Sequence, residues 1–392
     1  MIKKAKLGFK LDIQKYGMII ALVTIVILFQ ILTDGVLLKP MNVSNLVMQN
    51  SYILILAMGM LPCILTGNID LSVGSIVAFV GAIAGVSMVT LGLPVPVAVL
   101  LAILVGFLAG AWQGFWIAYV RVPAFIVTLA GMLIFRGLTM VILQGNTLSP
   151  FPEHYQFVAS GFLANFKGAE GMPIHLSTVV TGIIVSVVYV LSQIKKRKQQ
   201  EKYGVMKSKV ALFIGQLISM MILINVFTFW LACYKGLPVV LILLAILILF
   251  YSFLTNKTVI GRHIYALGGN EKATKLSGIK TNRVLFLTYI NMGVMAALAG
   301  LVYAGRLNAA APGAGNGFEL DAIAACYIGG ASASGGVGTI AGAIVGGLVM
   351  AVLNNGMSIM GVGIDWQQAI KGLVLLLAVA FDIYSRSKQK AC

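Results

Sequence analysis

Long apolar runs alternate with short polar breaks along the whole chain. The runs cover 17–33, 52–66, 72–90, 95–119, 124–143, 177–193, 210–231, 238–254, 283–304 and 366–383. Most are close to the ~20-residue helix that crosses the hydrocarbon core of a bilayer. They are far too long for the ~10-residue strands of a membrane barrel. Only helices and closed barrels satisfy the backbone in lipid. The pattern predicts an all-α polytopic membrane protein, one transmembrane domain over 1–392, with ten to twelve helices. The stretch 320–358 is irregular, because it holds GGASASGGVGTIAGAIVGG. Either two short helices cross there or a segment dips in and returns.

Composition agrees with this class. The chain is 59% hydrophobic and 10% charged, with a mean hydropathy of +0.98, where a soluble domain carries about 25% charge. The net charge of +17 alone would suggest nucleic acid. Its placement argues against that partner. Lys3, Lys4, Lys6, Lys10 and Lys15 precede the first run, seven basic residues lie in Lys195–Lys209, six lie in Lys257–Arg283, and Arg386, Lys388 and Lys390 follow the last run. This is the positive-inside pattern. With the N-terminus inside, Arg121, the 194–209 loop and the 255–282 loop are cytoplasmic. The tail is too if 320–358 makes an even number of passes. The inside then holds 22 of the 28 Lys and Arg residues. The expected location is the cell membrane, multi-pass, with both termini cytoplasmic.

The first run, GMIIALVTIVILFQIL, has the lysine-flanked look of a signal peptide. No small-residue cleavage site follows, so a retained helix is expected. The external loop over 144–176 carries Pro150, Pro152, Glu153 and Glu170. It is either a solvated connector or a docking surface. Cys63, Cys233, Cys326 and Cys392 show no disulfide or metal spacing, and three sit in apolar surroundings as packing residues. Glycines four apart occur at Gly81–Gly85, Gly106–Gly110 and Gly342–Gly346, a spacing that lets helix backbones approach closely. Packing within the chain is the expected use. VGSI at 73–76 recurs as VGTI at 337–340 and hints at an internal repeat.

Polar residues in lipid are costly and normally face a cavity or a partner. Asn68, Asp70 and Ser72 fall in TGNIDLSVGS between two runs. A broken helix there exposes backbone for a polar solute; alternatively Asp70 only caps the next helix. Glu319 and Asp321, in GNGFELDAIAA, either cap a helix and meet its dipole or line the mouth of a pathway. Asn291, Asn354 and Asn355 lie inside apolar runs. Their amides suit hydroxyl-rich solutes, since each offers donors and an acceptor, although hydrogen bonding between helices is the expected role of any single one. Arg136 and Lys371, near run ends, are expected to snorkel. The chain has no GxxxxGK[ST] phosphate loop, no HExxH and only three histidines, His154, His175 and His263. No metal or cofactor is expected in it, and any use of ATP belongs to another chain.

At the 255–282 loop, GRHIYALGGNEKATKLSGIKTNR, 261–283, resembles the cytoplasmic loop of ABC-importer permeases for monosaccharides, the ribose, xylose and galactoside type. GNIDLSVGS at 67–75, VPAFIVTLAGMLIFRG at 122–137, ELDAIAACYIGGASASGGVGTIAGA at 319–343, NNGMSIMGV and IKGLVLLLAVAFD are similar to that family as well. The extra charged loop near 194–209 looks most like the xylose or multiple-monosaccharide branch. The resemblance implies two permease chains forming the pathway, a pair of ABC ATPase subunits that use ATP and Mg, and an extracytoplasmic sugar-binding protein. It also implies a coupling helix over Asn270, Glu271, Ala273, Leu276, Ser277 and Gly278, with Gly278 ending it. Lys272 and Lys275 lie on that segment with no role implied.

Two other classes compete. An ion-coupled secondary transporter of a small polar solute would use Asp70 or Glu319 as its coupling carboxylate. A membrane-embedded synthase would need an acid or histidine cluster, and the sequence shows none.

Overall fold

A computed structural model describes residues 13–166, 172–203 and 210–390. Lys3, Lys4, Lys6, Lys10, Glu170, Lys207, Lys209 and Cys392 lie outside the described residues. Fifteen α-helices are described: α1 Ile13–Leu32, α2 Pro40–Leu65, α3 Val73–Gly85, α4 Val95–Ala118, α5 Ala124–Leu143, α6 Glu153–Ser160, α7 Leu176–Lys202, α8 Val210–Ala232, α9 Val239–Lys257, α10 Val259–Gly269, α11 Glu271–Leu276, α12 Thr281–Leu307, α13 Phe318–Ile328, α14 Ile340–Ile359 and α15 Ile364–Lys390. A π-helical turn, Val86–Thr90, prolongs α3. Among the described residues ten helical spans are long and apolar enough to cross a membrane, and Gly17–Leu32 is a shorter apolar helix.

The irregular stretch resolves into one half-helix and one full helix. α13 has 11 residues, about 16 Å at ~1.5 Å per residue, half the hydrocarbon thickness. The loop 329–339 follows it, and α14 then runs 20 residues. Of these, α14 alone is long and apolar enough to cross a membrane, and α13 is a half-length helix. A run of glycines and serines cannot continue α13, whereas Thr339 caps α14 by accepting a hydrogen bond from Gly342 N at 3.0 Å.

α2 starts well before its apolar run. Pro40 occupies the first turn, where its missing N–H costs nothing. Polar residues from Asn42 to Ser51 therefore ride on the helix, ahead of the apolar run that begins at 52. α7 likewise continues through its basic run to Lys202.

The core is built around α2, almost wholly buried, and α12, which packs on α2, α3 and α4. The α4–α12 crossing depends on glycine. A Cβ on Gly106 would stand 2.6 Å from Gly293 O, and one on Gly293 would stand 2.2 Å from Gly106 O. The spaced glycines on α3, α4 and α14 all pack within the chain. Cys63 and Cys326 are buried free thiols, while Cys233 at the end of α8 is exposed.

The described part of 144–176 is packed onto the bundle. Leu148 pairs with Ala310, Phe151 and Tyr155 are buried, and Tyr155 OH donates to Leu301 O at 2.7 Å. The two related tetrapeptides both lead into helices, α3 and α14. The loop before α14 meets the end of α2, Gly336 N donating to Leu65 O at 2.8 Å. α1 packs on α14 and α12 packs on α3.

Candidate solute path and coupling element

The candidate polar residues fall into separate groups. In the connector from Thr66 to Ser72, the Asn68 side chain donates to Thr66 O at 3.1 Å. Asp70 is 1% exposed, and its Oδ1 accepts from Ser72 N at 2.9 Å and Ser72 Oγ at 2.6 Å. Gln113 on α4 donates to the same Ser72 Oγ at 2.6 Å. Asp70 thus organises the start of α3 and ties it to α4. Asp70 bonds the N-cap residue Ser72, which itself makes no side-chain cap to α3, so Asp70 holds the turn that precedes the helix.

The second connector, 308–317, lies along α3. Gly315 crosses Gly74 so closely that a Cβ on Gly74 would stand 2.1 Å from Gly315 O and 2.5 Å from Glu319 Oε2. Arg136 on α5 does not snorkel. It donates to Pro312 O at 3.0 Å and Ala314 O at 2.6 Å, pinning the connector.

Asp321 is fully buried one turn into α13. Lys371 on α15 approaches its Oδ1 at 3.1 Å and its Oδ2 at 3.2 Å, and Tyr52 OH donates to Oδ2 at 3.1 Å. Lys371 therefore forms a buried ion pair instead of snorkelling. A burial pattern this specific is invisible to a run-by-run reading, because the partners are 50 residues apart.

Lys371 also belongs to a polar cleft of about 160 Å³ between α2, α14 and α15. Gln49, Asn50 and Tyr52 line it from α2, Asn354, Asn355 and Ser358 from α14, and Gln367 from α15. Asn42 Nδ2 donates to Asn355 Oδ1 at 2.8 Å, and Asn355 Nδ2 donates back to Asn42 Oδ1 at 3.3 Å. Asn354 Oδ1 is buried with no protein partner. Asn354 and Asn355 are thus brought together with a neighbour of Asp321. Gln49, Asn50, Tyr52, Ser358 and Gln367 carry no mark in the sequence reading, and Lys371 only that of a snorkelling residue; the seven-residue spacing of Asn42 and Gln49, two helical turns, was the available signal. Asn291 sits elsewhere. It accepts a hydrogen bond from Tyr251 OH and lines an apolar cleft of about 660 Å³ between α9, α10 and α12.

The loop 255–282 is two short helices. Thr258 caps α10, accepting from Gly261 N at 3.2 Å, and Asn270 caps α11, accepting from Ala273 N at 3.0 Å. Gly278 at φ 83° ends the unit, a backbone state that suits glycine. Asn270, Glu271, Ala273, Ser277 and Gly278 are exposed, and Leu276 is 89% exposed, an unpartnered apolar tip.

Thr274 faces inward, its hydroxyl donating to Ala266 O at 2.8 Å. The unit is clamped at both ends. Arg121, at the α4–α5 turn, pairs with Glu271 at 2.8 Å and also donates to Asn282 at the start of α12. Tyr265 OH donates to Gly338 O at 2.7 Å, and burial raises this phenol above its ordinary pKa, keeping it a donor. Gly268 lies against Leu65 O, where a Cβ would stand 1.6 Å away. In the sequence Arg121 served only as a charge marker; its clamp on Glu271 spans 150 residues.

A bundle of apolar spans with two broken connectors and an exposed, capped helical finger defines a multi-pass transport component. The chain belongs to the family described as branched-chain amino acid transport system / permease component, whose model matches residues 42–379. It is similar to the xylose transport system permease protein XylH of Haemophilus influenzae, 39% identical over 384 residues, 96% of this chain and 98% of the relative. The XylH protein of Escherichia coli K12 is 40% identical over 372 residues, 95% and 92% of the two chains. The ribose import permease protein RbsC of Bacillus subtilis is 35% identical over 383 residues, 97% and 96%. No solved structure gives a significant match.

Proposed function

We propose that the chain is the permease subunit of an ATP-driven importer of a monosaccharide, xylose or a related pentose or hexose. The carrying observation is the near full-length similarity to sugar permeases of two named specificities. In this reading α11 is the coupling helix. Leu276 would enter a cleft of an ABC ATPase, and that partner would bind ATP and Mg and perform the hydrolysis. A second copy of the chain would complete the pathway, and an extracytoplasmic binding protein would deliver the sugar. The termini and the α10–α11 unit would lie on the cytoplasmic side, as the basic segments favour.

The amide cleft is the reading's solute contact. At about 160 Å³ it has the volume of roughly five waters at ~30 Å³ each, the scale of one small sugar ring. Asn354 Oδ1 would accept from a sugar hydroxyl. Asn68, Asp70, Ser72, Asn291 and Glu319 would act as path or framework residues. The ion-coupled alternative is not favoured, since the relatives are permease components and Asp70 is already committed to Ser72.

The test is reconstitution in liposomes with the candidate ATPase and binding protein, assayed with xylose, ribose, glucose and galactose. Hydrolysis that rises only with all three proteins and one sugar supports the reading and names the substrate. Ion-driven sugar uptake by this chain alone overturns it.

A further inference from the structure

The α7–α8 hairpin stands apart from the sugar path. The two helices pack chiefly on each other, and most of their apolar side chains are exposed, from Ile183 to Leu191 on α7 and from Leu212 to Val226 on α8. Their seam is tight at one end and open at the other. At the tight end Gly182 abuts Thr228, with a Cβ site 2.1 Å from Thr228 Oγ1. One turn on, Asn225 Nδ2 donates to Ser186 Oγ at 2.8 Å. Beyond Tyr189 the seam residues become long, and the helices leave a pocket of about 270 Å³.

That pocket is polar and cationic. Lys196 and Arg197 stand on one side with Gln193 and Gln200, and Gln216 faces them from α8. The Arg197 guanidinium lies over the Phe213 ring, 4.4 Å from its centroid, an attractive cation–π geometry that fixes it at the pocket. The stretch Lys195–Lys202 holds five basic residues and one acidic, Glu201. The pocket also falls where α7 changes from apolar VVYVLSQI to basic KKRK, the depth at which lipid phosphates lie.

We propose that this pocket binds the headgroup of an anionic, hydroxyl-bearing phospholipid of the phosphatidylglycerol type. Lys196 and Arg197 take the phosphate, Arg197 as a fork that matches its oxygens. The glutamine amides, each both donor and acceptor, take the glycerol hydroxyls. The acyl chains run along the exposed apolar faces of α7 and α8. Basic pockets between membrane helices bind anionic headgroups in this manner. The site is independent of the sugar-import reading.

The test measures lipid affinity of the purified, delipidated full chain in detergent, with fluorescent phosphatidylglycerol displaced by unlabelled lipid. A basic side chain at an anionic lipid surface accounts for about a fivefold change in affinity, so Lys196→Gln/Arg197→Gln is expected to bind roughly 30-fold more weakly. Lys195→Gln/Lys198→Gln removes the same charge from the same turn outside the pocket and is expected to lose clearly less affinity. Gln216→Trp keeps both charges and fills the pocket; it is expected to lose affinity as well, a result that diffuse attraction would not give.

Phosphatidylcholine is expected not to displace the probe. Equal loss in the two charge pairs, or wild-type binding by Gln216→Trp, overturns the site. Displacement by glycerol phosphate as effective as by the lipid overturns its assignment to the membrane. Unfolding midpoints measured without lipid verify that each variant is folded, and Gln216→Trp carries the test if the charge variant is not.

Discussion

The buried pair Lys371–Asp321 allows the sharpest energetic test. Asp321 has no exposed surface, while the Lys371 side chain keeps 18%. Lys371→Met would leave a buried carboxylate whose remaining close partners are the Tyr52 hydroxyl at 3.1 Å and the Asn354 amide. Removing one member of a buried pair costs about 3–5 kcal/mol, or about two to four orders of magnitude in the folded ratio. The reverse change, Asp321→Asn, should cost less, because the lysine retains a route to water. The double variant Asp321→Asn/Lys371→Met should recover to within about 1 kcal/mol of wild type, since a neutral pair avoids the desolvation cost.

Unfolding can be followed by the reaction of a thiol dye with Cys63 and Cys326, both buried, in a background where Cys233 and Cys392 are serine. The expected order of midpoints is wild type and double variant together, Asp321→Asn next, Lys371→Met lowest. A Lys371→Met variant that melts with wild type would refute the pair as a structural element. A double variant no better than the worse single would refute charge burial as the cause.

Arg121→Ala should leave the unfolding midpoint nearly unchanged, because its pair with Glu271 is about half exposed and such pairs contribute at most ~1 kcal/mol; sugar-stimulated ATP hydrolysis in the reconstituted complex should nevertheless fall, and an unaltered rate would show that the clamp carries no coupling. Leu276→Ser should weaken association with the ATPase, measured by co-purification, without lowering stability. Gly278→Pro forces φ away from 83° and should displace α11, lowering the same association. Asp70→Ala strips the acceptor from a buried Ser72 N–H and should cost ~1–3 kcal/mol, with Asp70→Asn, which keeps an acceptor oxygen, close to wild type in stability. If Asp70→Ala loses transport and keeps its midpoint, Asp70 touches the solute instead of holding α3.

The periodic part of the fold was readable from hydropathy alone. Runs such as 124–143 and 72–90 coincide with helices to within a residue, since an uninterrupted apolar run has one solution in lipid. What eluded the sequence was polar structure on helices. The segment Asn42–Ser51 falls outside the apolar run because its amides lower the local hydropathy, yet Asn42 bonds Asn355 and Gln49 and Asn50 line the cleft. Lys371 and Arg136 look like interfacial anchors until the distant Asp321 and the 308–317 backbone are placed beside them. Asn354 and Asn355 were legible as intramembrane amides, but their partners depended on how α2, α14 and α15 meet. The two caps Thr258 and Asn270 were within reach of local rules; the Arg121 clamp was not.

The carbonyl of Leu65 has a mechanical meaning. It takes a hydrogen bond from Gly336, and Gly268 of α10 rests on it without a side chain between them. Three segments far apart in the chain thus bear on a single atom with no compliant padding. If α11 is the coupling helix of the proposed function, a displacement of α10 would meet the end of α2 and the 329–339 loop directly at this carbonyl, and a methyl group at residue 268, 1.6 Å from Leu65 O, could not be accommodated without parting them.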